Sequence, residues 1–140
     1  MARNDTDDRL KSIPIFSELS KKELRTVSRL MTAIDVKEGR ALTRQGEAGR
    51  EFMIITEGTA VVRRGGRKIA ELGKGDFVGE LAVLSGAPRT ADVIATSDMM
   101  LETLTRREFM SLLDESSGIA KKILIGAVKR LHELESSKTS

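Results

Sequence analysis

The sequence predicts a mainly β protein with flanking helices. Three observations carry that reading: helical periodicity before residue 31, a central run of short apolar segments punctuated by glycine, and helical periodicity again after Thr105. A chain of 140 residues suits one domain. Its parts are a helical lead-in (residues 1–30), a β body (31–105), C-terminal helices (106–135) and a tail (136–140) expected to fray.

The lead-in starts with a short helix expected from Asp5 to Ser12. Ile13-Pro14-Ile15-Phe16 interrupts it, because the residue before a proline is pushed out of the helical region. Ser20 then reads as an N-cap, with Glu23 three residues on completing a capping box. Leu24, Val27 and Leu30 follow at helical spacing.

In the body, strands are expected at Thr32–Val36, Ala41–Thr43, Glu51–Thr56, Thr59–Arg64, Lys68–Leu72, Ala91–Ala95 and Met99–Thr103. Such regular short strands suit a barrel, sandwich or jelly roll. Glu57-Gly58 and Gly65-Gly66 stand where tight hairpins need positive φ. Arg63, Arg64, Arg67 and Lys68 bracket the second hairpin and read first as a solvated tip. Gly79-Glu80-Leu81-Ala82-Val83-Leu84 breaks the pattern: it favours a short helix, which Gly86-Ala87-Pro88 ends.

After Thr105, one helix is expected over Arg106–Asp114, with Thr105 and Glu108 as a second capping box, and another from Ser116 or Ser117 to Glu135. Ala120, Leu124, Ala127, Leu131 and Leu134 recur at alternating steps of four and three, a coiled-coil-like seam that two copies could share. Ile119, Ile123, Ile125 and Val128 widen its apolar surface, and Gly126 also suits close packing inside one domain.

Composition removes several functions. With no cysteine and one histidine, His132, the chain cannot build a zinc-thiolate or iron–sulfur site, a histidine metal cluster of the cupin kind, or a haem sensor resting on such ligands. No cofactor or metal is expected, and His132 reads as a solvated helix residue. No apolar run approaches the roughly 20 residues that span a bilayer, and the polar N-terminus is not a signal peptide. A cytoplasmic protein without membrane contact follows. The net charge of +3 and pI near 9.4 come from mixed signs, not from the concentrated basic stripe of a nucleic-acid binder.

The chemistry gathers around the short helix. Gly79 opens it, so backbone N–H groups of its first turn face outward with no side chain in the way, a ready anion site. Glu80, in that turn, is an acceptor suited to a sugar hydroxyl. Nine residues later Arg89 offers a planar fork for phosphate oxygens, stiffened by Pro88. Each signal alone is more often a solvated loop than a site.

Together, residues 79–93 (Gly-Glu-Leu-Ala-Val-Leu-Ser-Gly-Ala-Pro-Arg-Thr-Ala-Asp-Val) resemble the phosphate-binding cassette of the cyclic nucleotide-binding domain family. Ile13-Pro14-Ile15-Phe16, Gly46-Glu47, Gly58 and Gly75-Asp76-Phe77 extend the resemblance over nearly the whole chain. It implies an eight-stranded β-roll (jelly roll), a short phosphate-binding helix and two C-terminal helices. It also implies roles: Glu80 on the ribose 2′-hydroxyl, Arg89 on the exocyclic phosphate oxygens, and the backbone of Gly79, Glu80, Leu81, Ala82 and Thr90 completing the cradle. Val62 and Leu72 would wall the base. Without tryptophan or tyrosine, a base-stacking aromatic cap of the kinase-subunit type is impossible, which leaves Arg130, Leu131 and Leu134 as capping candidates.

The implied function is a non-enzymatic sensor of cyclic AMP, or alternatively cyclic GMP, whose C-terminal helices move to signal. Thr90 does not decide the base. The chain ends soon after the last helix, with no DNA-reading element, so an unidentified effector protein is expected. The alternative is a regulatory fragment of a longer protein, though Met1 and the polar tail favour a complete product. The competing function is an interaction module of the same fold that does not depend on ligand.

Overall fold

The computed structural model describes residues 8–139, with side chains for residues 8–136. In chain order it holds helix α1 (residues 8–12), a 3-10 turn (Pro14–Phe16) and α2 (Lys21–Leu30). Strands β1 (Thr32–Val36), β2 (Ala41–Thr43), β3 (Glu51–Glu57), β4 (Ala60–Arg64), β5 (Arg67–Leu72) and β6 (Phe77–Val78) follow. Then come α3 (Glu80–Ser85), β7 (Asp92–Ala95), β8 (Met99–Thr105), α4 (Arg106–Glu115) and α5 (Ser117–Thr139). The positions Asp5 to Asp7 of the expected first helix, and Ser140 of the expected tail, lie outside the described residues. The described residues form a helical unit (8–30 with 108–139) and a β unit (31–107).

In the helical unit, Ile13 is extended before Pro14, as the proline requires. The capping box at the start of α2 closes in both directions: Ser20 N–H donates to Glu23 Oε1 at 2.9 Å, and Glu23 N–H to Ser20 Oγ at 3.2 Å. Lys122 Nζ donates to the same carboxylate at 2.7 Å, which holds Glu23 below the usual carboxyl pKa. Phe16 and Phe109 meet edge to face, centroids 6.1 Å apart, and Ile15, Leu24 and Ile123 are also buried in this unit.

Two expectations for α5 need correction. The helix continues past Glu135 to Thr139, so the expected fraying tail is helical as far as it is described. Nor is the five-residue seam evenly covered. Ala127 is buried and Ala120 and Leu134 half-buried, while Leu124 and Leu131 are 64% and 51% exposed. The face turned into the unit is Ile119, Ile123, Gly126 and Ala127. A Cβ on Gly126 would come within 2.7 Å of the Pro14 carbonyl oxygen, so the glycine sets how closely α5 lies on the 3-10 turn.

The β unit is two antiparallel four-stranded sheets, in the orders β1-β8-β3-β6 and β2-β7-β4-β5. β7 and β8 alternate as strands with one core face should, burying Val93, Ala95, Met99 and Leu101 between more exposed neighbours. β3 carries an unbroken buried run, Phe52 to Ile55: Met53 and Ile55 enter the roll's inner cluster, and α3 packs against the strand. Val36, Met53, Ile55, Ala60, Val93 and Leu101 belong to the roll's inner cluster, against which Val62 and Leu72 pack half-buried.

Gly65 and Gly66 make the expected hairpin tip, with φ of 58° and 79° between paired Arg64 and Arg67. Glu57-Gly58 does not make one. β3 and β4 lie in different sheets, and Gly58 (φ 93°) carries the chain across beside Asp98 and Met99. β6 escaped the sequence reading because two residues between glycines show no periodicity.

Candidate ligand-binding site

The short helix forms where the sequence placed it. Gly79 at its start has φ 84°, a conformation that favours glycine, and Gly86 at its end has φ 70° with its N–H donating to Ala82 O at 2.6 Å. Val83 N–H is bonded back to Gly79 O at 3.0 Å, so the amides of Glu80, Leu81 and Ala82 precede the first intrahelical bond. Glu80 is 6% exposed, and Leu81 and Ala82 are half-buried.

Arg89 reaches this helix from the other end of the cassette. Its Nη2 donates to the Glu51 carbonyl at 2.6 Å, and its guanidinium lies over Gly79. A Cβ on Gly79 would overlap Arg89 Nη1 and approach the Glu51 carbonyl to 2.8 Å. Burial holds the guanidinium below its ordinary pKa, and the nearby Glu51 carboxylate pulls it back up. A half-buried cation thus faces the opening of a helix, with a buried carboxylate in the first turn. This arrangement suits a small anion joined to a hydroxyl-bearing group.

Thr90 is exposed, and its carbonyl accepts from Arg64 Nε at 3.1 Å. Gly65 N–H donates to Gln45 Oε1 at 3.2 Å. The basic hairpin is therefore more than a solvated tip: it is tied to the end of the cassette. Val62 and Leu72 do face the roll interior. Arg130, Leu131 and Leu134 belong to the helical unit, on α5, and His132 is exposed there.

Three participants escaped the sequence reading. Gly49 is buried under the cassette, where a Cβ would meet Ala82 Cβ and the Ala87 carbonyl, each at 2.8 Å. Glu51 offers Arg89 its backbone oxygen, a contact no residue type signals. Arg106 Nη2 donates to Leu84 O at 3.2 Å, at the end of α3. Glycine punctuation around Gly49 was visible but reads as an ordinary turn. Among the described residues no cluster of His, Cys, Asp or Glu is placed to hold a metal ion, and no helix is long and apolar enough to cross a membrane.

Residues 33–116 match the family profile described as cyclic nucleotide-binding domain. The chain belongs to that family. It is 39% identical over 122 residues to the cAMP-dependent protein kinase regulatory subunit of Mycosarcoma maydis, covering 81% of this chain and 23% of that one. The chain thus spans about a quarter of that relative's length. Among solved structures, the N-terminal domain of a transcriptional regulator from Streptomyces coelicolor A3(2) superposes with a TM-score of 0.82, at 25% identity and 94% coverage of both chains. The cAMP-bound PfPKA-R chain superposes with a TM-score of 0.67 at 28% identity, covering 95% of this chain and 47% of that one. The eight strands and the helices before, within and after them are those of the cyclic nucleotide-binding β-roll.

Proposed function

We propose that this cyclic nucleotide-binding domain is a non-enzymatic sensor that binds cyclic AMP in preference to cyclic GMP. In this reading it works in the cytoplasm and signals to an effector protein through its C-terminal helices. The observation that carries the reading is the Arg89 guanidinium laid over Gly79 at the opening of α3, with Glu80 buried in the first turn. The phosphate would sit between Arg89 and the amides from Gly79 to Ala82, with Thr90 at its edge. The ribose 2′-hydroxyl would donate to Glu80. Val62 and Leu72 would wall the base, and Arg130, Leu131 and Leu134 of α5 are the capping candidates.

Two of the relatives support the choice of base, because one is a cAMP-dependent kinase regulatory subunit and another holds cyclic AMP. The test is calorimetric titration with cyclic AMP, cyclic GMP and 5′-AMP, with chromatography of the recovered nucleotide. Saturable heat with cyclic AMP, weaker binding of the others and intact nucleotide are expected. No heat with either cyclic nucleotide at millimolar concentration would favour the ligand-independent interaction module.

The exposed side of α5 supports a second element of the reading, a homodimer. Leu124, Val128 and Leu131 form an outward apolar stripe, with Ile125 at its shoulder, and pairing there competes with base capping for Leu131. Lys121 and Glu135 stand seven residues either side of Val128, so antiparallel pairing of two copies sets opposite charges against each other. Sedimentation equilibrium should give a dimer that Leu124→Glu with Leu131→Glu converts to monomer. A monomer at all concentrations in the unmutated chain would remove the dimer.

A further inference from the structure

We propose that Arg106 is the positioning residue through which the state of the phosphate cassette reaches α4; this rests on the nucleotide-binding reading above. Arg106 is the first residue of α4, yet its side chain turns back onto α3. There Nη2 donates to the Leu84 carbonyl at 3.2 Å, one of the terminal carbonyls that a helix leaves without an intrahelical donor. A cation at that end is also favoured by the helix dipole. The guanidinium packs against Gly86, where a Cβ would come within 3.1 Å of Nε and 3.4 Å of Cζ. The αL turn that ends α3 and the residue that begins α4 are thus in direct contact.

A second connection meets the first. Residues 49–51 offer consecutive backbone groups to three parts of the system. Gly49 N–H donates to Ala87 O at 3.0 Å, Arg50 O accepts Arg106 N–H at 2.7 Å, and Glu51 O accepts Arg89 Nη2 at 2.6 Å. Neighbouring carbonyls therefore hold the phosphate arginine and the start of α4. An incoming phosphate competes with the Glu51 carbonyl for Arg89, and its charge makes the new bond the stronger. It also draws on the amides of α3, a single short helix whose far end is gripped by Arg106. Two sites that bias one packed element are coupled, and each feels the other's occupancy.

Arg106 takes no part in the cradle itself, so its loss should separate binding from response. The experiment compares unmutated protein, Arg106→Ala and Arg106→Lys by cyclic AMP calorimetry and by hydrogen–deuterium exchange of α4 and α5 with and without saturating nucleotide. Unmutated protein should bind and change its exchange in α4. Arg106→Ala should still saturate while the ligand-dependent change in α4 falls to background. Arg106→Lys, which keeps a donor but not the guanidinium contact with Gly86, should retain only part of the change. If Arg106→Ala does not fold, the lysine variant carries the comparison. Binding with an undiminished exchange change in the variants would overturn the coupling, as would an unmutated protein that binds with no change in α4. An unmutated protein that does not bind at all would overturn the nucleotide reading, and the coupling with it.

Discussion

Arg89→Ala should weaken cyclic AMP binding by about thirty- to several-thousand-fold, because removing the partner of a buried charge costs about 2–5 kcal/mol. Arg89 alone in the cassette brings a full positive charge, and it is already partly stripped of water. Its bond in the described structure is to a neutral carbonyl, so a phosphate would be the better acceptor. Arg89→Lys should rescue only partly, since an ammonium has no fork. The ligand-free fold should lose at most about 1.5–3 kcal/mol, the scale of one hydrogen bond between a charged group and the Glu51 carbonyl. Arg64 is no neutral comparison, because it holds the Thr90 carbonyl. Arg67, exposed on the hairpin, serves instead. Equal losses of affinity in Arg89→Ala and Arg67→Ala by calorimetry would leave only general electrostatics and no phosphate site.

Glu80→Ala should cost about 1.5–3 kcal/mol of binding, the usual scale for a hydrogen bond to a charged group. That corresponds to roughly ten- to two-hundred-fold in affinity. The effect should be large for a single hydroxyl contact because Glu80 is buried. A bond made away from water faces little competition from it. Glu108→Ala, a carboxylate in the first turn of α4, should leave affinity within a small factor. Comparable losses in the two variants, measured in the same titration, would mean that Glu80 acts on stability and not on ligand.

Most of the fold was legible because its signals are local. Strands β1 and β2 lie where alternation and glycine turns set them, and Ser20 and Glu23 close the capping box that their spacing promised. The seam on α5 misled because periodicity reports which residues can share a face, not which face meets the core. Gly126, a single small residue against the Pro14 carbonyl, decided that instead. Glu57-Gly58 misled for a related reason: a positive-φ glycine permits a hairpin and a crossover between sheets equally.

At the site, side-chain chemistry was readable and backbone chemistry was not. Gly79, Glu80 and Arg89 announce an anion and a hydroxyl by residue type. The Glu51 carbonyl under Arg89, the buried Gly49 and the Arg106 clasp on Leu84 arise only when strands far apart in sequence come together. Arg64 shows the same limit, since a charge run on a hairpin says nothing of the Thr90 carbonyl it reaches.

The most direct test is a thermodynamic cycle between Glu80 and the ligand's sugar. Unmutated protein and Glu80→Ala are each titrated with cyclic AMP and with its 2′-deoxy form. If Glu80 holds the ribose hydroxyl beside a phosphate bound by Arg89, deoxygenation costs the unmutated protein about ten-fold or more. The same change should cost Glu80→Ala almost nothing, because the acceptor is already gone. Equal losses on both proteins would show that Glu80 does not touch the sugar, and that the nucleotide is not held in the cassette as described.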